Sequence, residues 1–531
     1  MEPSSKQRAR RASVAGAALA AVAGVITAAV LLAVAELVAL LVARQASPVL
    51  AVGSFIVDIV PRWAKEFAIA TFGDNDKLFL LASIGFGVVV AAAVAGVLER
   101  LRPPLGMVLI GLAGALAIVA IVTRAGAAPL AFVPTLVGTI AALALMRILF
   151  SKLRTFSKLR TFSKPGRTAE SAASSGASRR TFFRIAIVAA VGAAVVGTGS
   201  RLVNAATSSL ARVRDAIMLP KPGSTVTIPD GADLKIPGVS SLVTSNDDFY
   251  RVDTALTVPT VDPSTWQLTV TGMVDTEVTL SFQDLLDMGL DEYAVTLTCV
   301  SNEVGGGLVG NAVWLGVPIR DVLAKAGVQS DADMVLSRSV DGYTASTPLE
   351  SLTDDGLDAI LAVGMNGEPL PFEHGFPVRM VVPGLYGYVS ATKWLTELKV
   401  TRFDAEQAYW TPRGYDAKAP IKLSSRIDTP RVDKQIAAGA TKVAGVAWAQ
   451  SVGIASVEVS IDNGEWQPAT LAGAINDDTW VQWFVDWEAE AGTHYLAVRA
   501  TDKAGNLQIE ERAPIAPNGS SGWQRTLVRV G

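Results

Sequence analysis

Four stretches of the chain, near 14–43, 78–98, 105–123 and 128–150, are each apolar over about the 20 residues that a helix needs to cross the hydrocarbon of a bilayer. In lipid such a run has one stable form, because every backbone N–H and C=O must be satisfied inside the segment itself. The first half of the chain is therefore expected to be α-helical and membrane-spanning. Glu36 interrupts the first run and Arg147 lies near the end of the fourth. Arg147 can snorkel to the interface. Glu36 reads as a residue satisfied by a neighbouring helix rather than as a proton carrier. A fifth run, 185–199, follows Arg184 and reaches spanning length only if 181–183 are included, so about five spans are expected.

Charge divides the chain at the same place. Residues 1–201 hold 22 Lys and Arg against 8 Asp and Glu, whereas 202–531 hold 24 against 41. A basic apolar half joined to an acidic polar half reads as a membrane anchor carrying an extramembrane domain, and a mean hydropathy of +0.37 agrees. The basic residues sit between apolar runs, which argues against nucleic-acid binding. Lys6, Arg8, Arg10 and Arg11 at the head, Arg100 and Arg102 in the second turn, and nine bases in 151–184 all fall on one side of an alternating five-span chain. The positive-inside rule makes that side cytoplasmic and puts the last 330 or so residues outside.

The connection 151–181 contains an exact tandem hexapeptide, SKLRTF at 151–156 and again at 157–162. A duplicated basic–aromatic stretch beside a membrane suits anionic headgroups, although a duplication without function of its own fits equally. The Ser, Ala and Gly of 168–178 read as flexible linker. Ser178-Arg179-Arg180-Thr181-Phe182-Phe183-Arg184 ahead of the fifth run resembles a twin-arginine export signal. No small-residue cleavage site stands out, so a retained anchor is expected.

The chain has one cysteine and two histidines. That excludes an internal disulfide framework, a cysteine-rich zinc site and a cysteine-held iron–sulfur cluster. Neither histidine lies in the membrane half, so no haem is expected in this chain. From about 240 the texture changes to short alternating strands and Pro/Gly turns. WQLTVTG at 266–272 is a strand, Ser281 caps a short helix, and Cys299 is expected to end a strand over 293–299. Behind it stand Gly305, Gly306 and Gly307, without the Lys-Ser/Thr of a Walker loop. An arbitrary free cysteine is most often a buried small hydrophobe. Here a thiol facing an oxidising space, beside glycines that allow a ligand close approach, suits a transition metal instead.

LTCVSNEVGGGLVGNAVWLGVPIRDVL at 297–323 resembles the segment of the sulfite oxidase family of molybdopterin enzymes that carries the metal-ligating cysteine. NGEPLP at 366–371, HGFPVR at 374–379, Pro383-Gly384 and Thr392-Lys393-Trp394-Leu395 agree, as does TSNDDFYR at 244–251. The resemblance spans about 240–531. It implies Cys299 as the thiolate ligand to molybdenum, and Asn246, Tyr250, Arg251, Ser339, His374, Arg379, Thr392 and Lys393 as pterin-site residues. It further implies Tyr343 as an active-site tyrosine whose hydroxyl faces substrate. Sulfite-oxidising members carry CAGNRR where this chain has Cys299-Val300-Ser301-Asn302-Glu303-Val304, and Ser245 and Pro318 stand where substrate-binding arginines are expected. A dianion without such cations would be poorly stabilised.

The last 130 residues read as a β-sandwich, with a DNG hairpin turn at 462–464 and Trp480, Trp483 and Trp487 as core. They resemble the family's immunoglobulin-like dimerisation domain, which allows a homodimer. His494 is assigned no chemistry. The expected layout is a four-span region at 1–150, a basic linker at 151–181, a fifth span at 182–200, an α+β molybdopterin domain at 201–400 and an all-β immunoglobulin-like sandwich at 401–531. The expected function is two-electron oxygen-atom transfer on a small molecule by a multi-pass cell-membrane protein in contact with lipid. Its catalytic domain is extracytoplasmic and its electron partner external, a cytochrome or quinol-linked protein. Reduction of S- or N-oxides, a non-catalytic anchored module and a Cys299–His374 hydrolase are the competing readings.

Overall fold

The computed structural model describes residues 5–42, 76–123, 130–161, 186–192 and 207–531 except 433, with single positions at 52, 71 and 184. Four helices dominate the first part: α1 (Ser5–Val42), α2 (Asp76–Leu101), α3 (Leu105–Val122) and α4 (Val133–Thr161). Each contains a segment long and apolar enough to cross a bilayer: Gly16–Ala39, Phe79–Leu101, Leu105–Val122 and Val133–Ser151. The apolar runs become helices that keep small residues inside and large ones outside. Ala20, Ala23, Ala35, Ala92 and Ala95 are buried, whereas Phe86, Val89, Leu112 and Ile140 are exposed, the pattern of helices packed through small side chains in lipid. A Cβ on Gly24 would come within 2.0 Å of the Ala92 carbonyl, and one on Gly96 within 2.0 Å of the Ala20 carbonyl. The α1–α2 crossing is thus built on reciprocal glycines. Helix α4 runs on through the first SKLRTF and into the second, so the repeat begins as helix rather than linker. Of the expected fifth span, 184 and 186–192 are described, as helix. The rest of 182–200, the 168–178 linker and the Arg179-Arg180 pair lie outside the described residues.

The second part is sheet-rich. A mixed five-stranded sheet has the order β2 (Val278–Ser281), β1 (Gln267–Gly272), β10 (Leu395–Thr401), β5 (Met334–Ser339), β6 (Thr344–Pro348). Its one parallel pair is β1 with β10. Ser281 caps helix α5 (Phe282–Asp287) through a capping box with Asp284. A second sheet runs β3 (Asp291–Thr298), β4 (Val309–Pro318), β7 (Ile360–Met365), β8 (Glu368–Pro369), with β9 (Arg379–Val381) paired to β7. Every residue of β7 is buried. Leu361 and Val363 enter the larger core, and Ile360, Ala362 and Met365 enter a smaller one with Phe249, Leu297, Trp314 and Phe376. An uninterrupted ILAVGM run is what a strand covered on both faces requires.

Residues 402–423 still serve this core through Trp410, Tyr415, Ala419 and Ile421, so the C-terminal sheets begin at Ser424 rather than at the expected 401. They comprise β11 (Ser424–Thr429), β12 (Gly439–Trp448), β16 (Val481–Ala489) and β15 (Thr470–Leu471) in one sheet, with β14 (Gln467–Pro468), β13 (Ile454–Ile461), β17 (Gly492–Asp502) and β18 (Gln524–Val530) in the other. Val443, Trp483, Val485 and Trp487 from the first share a core with Val457, Val459, Leu496, Val498 and Val528 from the second. The β13–β14 connection turns at Asp462 and Asn463, both at positive φ, with Gly464 N–H donating to the Ile461 carbonyl at 2.9 Å, as the DNG motif predicts.

Candidate active site

Cys299 follows the last residue of β3, as expected, and is 9% exposed. Its Sγ accepts from the Ser301 N–H at 3.4 Å. Burial pushes the thiol up, opposed by the Ser301 bonds and by Lys393. The thiol and Lys393, and the thiol and the rings of Tyr250, Tyr343 and Tyr386, are near enough to act on one another electrostatically. Residues spread from 250 to 393 thus lie within electrostatic reach of one thiol.

His374 closes a short 3₁₀ turn, Phe372–His374, and is buried. Its Nε2 lies 2.9 Å from the Asn246 carbonyl. Burial, reinforced by Arg379 and Lys393 against the Asn246 contact, brings it down to about 4, so it is neutral at physiological pH. The glycine after it is required: a Cβ on Gly375, at φ +111°, would lie 3.0 Å from the Cβ of both Arg379 and Lys393. Arg379 opens β9, is 5% exposed, donates to the carbonyls of His374 and Met380 at 3.2 Å, and stacks 4.9 Å from the Trp314 ring. Burial lowers it to about 10. Among the described residues no carboxylate pairs with it, an unusual state for a buried guanidinium. Lys393 lies in the turn before β10, donates to the Glu373 carbonyl at 2.9 Å and pairs with Asp253. Burial, against the pull of Asp253, lowers it to about 8.

The remaining expected residues join the same region. Asn246 Oδ1 accepts from Asn366 at 2.9 Å, and Asn366 in turn binds the Thr244 carbonyl and the Val313 N–H. Tyr250 stacks on Phe249 and is raised by burial. Arg251 donates to Asp253 at 2.6 Å. Thr392 is buried against Ser337, hydroxyl to hydroxyl at 2.7 Å. Ser339 ends β5 opposite Leu395. Tyr343 differs from expectation in one respect: its hydroxyl donates to the Tyr388 carbonyl at 2.8 Å, and burial raises it. Its ring begins an aromatic series, Tyr343–Tyr409–Trp410–Tyr415–Tyr388, with centroids 5.2–5.7 Å apart.

Sequence reasoning missed Asp253, whose side chain is fully buried between Lys393 and Arg251. A lone acid two residues after a candidate basic ligand was the available signal. The glycines after Cys299 divide in two. A Cβ on Gly305, at φ +82°, would lie 3.0 Å from the Gln524 side chain, and one on Gly306 would lie 2.7 Å from Asn302 Oδ1, whereas one on Gly307 would meet nothing within 4 Å. Gly305 and Gly306 are small to fit a neighbouring strand and the loop's own asparagine.

The donor set suits a molybdopterin. One thiolate is available to a soft metal, and Arg251, Arg379 and Lys393 stand against a single carboxylate, an excess of positive charge matched to a phosphate. Residues 255–410 match the family described as oxidoreductase molybdopterin binding domain. The mitochondrial sulfite oxidase of Homo sapiens is 32% identical over 339 residues, covering 54% of this chain and 62% of that protein. The NAD(P)H nitrate reductase of Hordeum vulgare is 30% identical over 315 residues, covering 48% of this chain and 35% of that protein. Among solved structures, the sulfane dehydrogenase SoxCD from Paracoccus pantotrophus matches with a TM-score of 0.48 and 23% identity, over 55% of this chain and 84% of that chain. The chain therefore spans less than two thirds of the length of the human enzyme it matches.

Proposed function

We propose that the chain, whose residues 255–410 match the oxidoreductase molybdopterin binding domain and which is similar to sulfite oxidases, is a membrane-anchored oxidoreductase carrying out two-electron oxygen-atom transfer. The observation that carries the reading is the buried thiol of Cys299 within electrostatic reach of Lys393, in a region that also holds the buried Arg379, a guanidinium without a carboxylate partner among the described residues. In this reading Cys299 ligates molybdenum, Arg379, Lys393 and Arg251 hold the pterin phosphate, and His374, Asn246 and Tyr250 hold the pterin rings, with Ser339 and Thr392 beside them. The cofactor supplies the metal that takes up or releases an oxygen atom and two electrons.

The protein's part is positional and electrostatic. His374, neutral at physiological pH, presents a ring nitrogen of fixed tautomer because its Nε2 faces the Asn246 carbonyl, an acceptor that holds a proton on that nitrogen. Tyr343, kept protonated by burial, is a hydroxyl donor within electrostatic reach of the thiol, and turning it to substrate would exchange its bond to the Tyr388 carbonyl for the new one. Electrons leave or enter through an external cytochrome or quinol-linked partner. The four helices anchor the chain as a multi-pass protein, the positive-inside pattern puts the catalytic domain outside the cytoplasm, and the C-terminal sheets form an immunoglobulin-like sandwich that can pair with a second copy.

Reduction of a neutral S- or N-oxide is the second reading, favoured by two positions. Ser245 is exposed and bonds Asp248 at 2.7 Å, and Pro318 ends β4, so neither supplies a cation for a dianionic substrate. The test is a metal and pterin assay on the purified full chain, followed by a screen of sulfite, sulfoxides and N-oxides with a dye donor or acceptor. About one molybdenum per chain is expected, with turnover that Cys299→Ser abolishes. Protein free of molybdenum and pterin from a host able to make the cofactor would overturn the proposal.

A further inference from the structure

β3, the strand that delivers Cys299, is an edge strand of its sheet: β4 covers one side, and among the described residues no strand pairs with the other. An open edge leaves backbone donors and acceptors that must be satisfied elsewhere. Glu292 N–H finds the Ser224 carbonyl at 3.0 Å, and beyond it loops that join the C-terminal strands supply the partners. Thr296 N–H donates to the Asp478 carbonyl at 3.0 Å, Gln450 Nε2 donates to the Thr296 carbonyl at 2.8 Å, and Asn476 Nδ2 donates to the Ala294 carbonyl at 3.0 Å. Thr296 Oγ1 also accepts from the Trp480 N–H at 2.8 Å.

The loop that follows is held in the same way. Its neck is closed by Cys299 N–H on the Leu308 carbonyl and by Leu308 N–H on Asn302 Oδ1, at 3.0 and 2.9 Å. Its outer side is fixed from the C-terminal sheets. Ser520 Oγ donates to the Asn302 carbonyl at 2.6 Å, and Arg426 Nη1 donates to the Gly306 carbonyl at 2.8 Å. Arg426 is itself locked by a buried pair with Asp428 at 2.5 Å and by Ser240 Oγ at 2.8 Å. The Gly305 contact with Gln524 described above lets the loop approach this closely.

We infer that the C-terminal sheets are the second half of the cysteine's mounting, with Arg426 and Ser520 as positioning residues that fix the 299–308 loop and, through it, the direction of the Cys299 sulfur. The physical reason is that a loop carrying three glycines has little stiffness of its own. Its geometry must come from outside, and a guanidinium bonded to a carbonyl is among the stronger ways to impose it. The inference rests on the reading of Cys299 as the metal ligand for its catalytic meaning, but the clamp can be tested without the metal.

Because Cys299 is the only cysteine in the chain, its rate of modification by a maleimide in cofactor-free full-length protein reports opening of this loop alone. Arg426→Gln is expected to speed modification by about tenfold and Ser520→Ala by about threefold, the factors for losing a charge-assisted and a neutral hydrogen bond. Arg338→Gln, at a half-exposed pair with Glu397 in the other sheet, should leave the rate unchanged. If Arg426→Gln does not fold, Ser520→Ala decides. In cofactor-loaded protein, Ser520→Ala is expected to shift the paramagnetic resonance spectrum of pentavalent molybdenum, which a merely stabilising role would not do. Unchanged modification rates in folded variants would overturn the clamp. Absence of molybdenum from the wild type would instead overturn the cofactor reading and leave the labelling result standing.

Discussion

The helical region and the sheet-rich region bury polar atoms in different ways. In α1–α4 the buried polar side chains among the described residues are Thr27, Thr135, Thr139 and Glu99. Thr27 and Thr139 bond a carbonyl one turn back in their own helix, and Glu99 accepts from the Met107 N–H at 3.2 Å. The sheet-rich region buries Arg379, His374, Arg426, Asn302, Asn311, Gln450 and Gln482, with bonds that cross between strands and between its two parts. Burying such groups costs several kcal/mol each unless they are paired, so a region that keeps them is organised around something other than stability. The helices fit together by the absence of side chains, at Gly24 and Gly96; the candidate site is fitted together by charge and hydrogen bonds. The contrast separates a region packed by shape, whose helices are long and apolar enough to cross a bilayer, from one organised by polar pairing.

The largest effect that would break this contrast is at Arg379. Replacing it with Met removes a buried cation from the proposed phosphate site. The loss of a buried ionic partner is worth about 3–5 kcal/mol, so pterin retention is expected to fall by at least about a hundredfold, measured as pterin released per chain after dialysis. A variant that keeps its pterin would show that the site's charge serves folding alone.

A comparable loss is expected in the helices by a different route. Gly96→Leu drives a side chain into the Ala20 carbonyl. Overpacking with no room to relax costs about 3 kcal/mol. The thermal midpoint of the detergent-solubilised chain should drop, with α1 and α2 newly open to protease and the tryptophan fluorescence of the sheets unchanged. A coupled loss of the sheet signal would show that the two regions do not fold independently.

His374 adds a pH dependence to the sheet-rich region. Its folded value of about 4 lies below the ordinary 6.5, so the unfolded chain binds the extra proton first. The stabilisation is full above pH 6.5 and is lost as pH falls toward 4, by about 3 kcal/mol in all. Thermal midpoints of wild type and His374→Gln, followed from pH 7.5 to 4, should show a fall in the wild type that the variant lacks. Parallel curves would mean that the ring titrates normally.

How much of this was legible in the sequence follows the same division. Helices α1–α4 could be read directly, because twenty consecutive apolar residues have one solution in lipid. The end of β3 at Cys299, the Ser281 cap and the DNG turn were local and also readable. His374, Arg379 and Lys393 were found through motif resemblance. Asp253 and the β3 edge partners Gln450 and Asp478 were not found. Their roles come from pairings across 140 to more than 180 residues, which no local pattern encodes. The start of the C-terminal sheets at Ser424 was missed for the same reason, since 402–423 fold back on a core laid down earlier in the chain.

The smallest prediction sharpens the contrast most closely, because the chemical change is nearly the same in both regions. Ser281→Ala removes the hydroxyl that accepts the Asp284 N–H and leaves a helix-start donor without its partner. That costs about 1 kcal/mol, which is a roughly fivefold rise in hydrogen exchange over 281–287 measured by mass spectrometry. Thr27→Val deletes a hydroxyl too, a buried one where that of Ser281 is exposed, but the Ala23 carbonyl it contacts at 2.8 Å is already the acceptor of the helix's own backbone bond. Nothing is left unsatisfied, and exchange over 20–31 should not change. If the two substitutions cost the same, then hydroxyls in the helices are doing what they do in the sheets, and the division between a region packed by shape and a region organised by polar pairing does not hold.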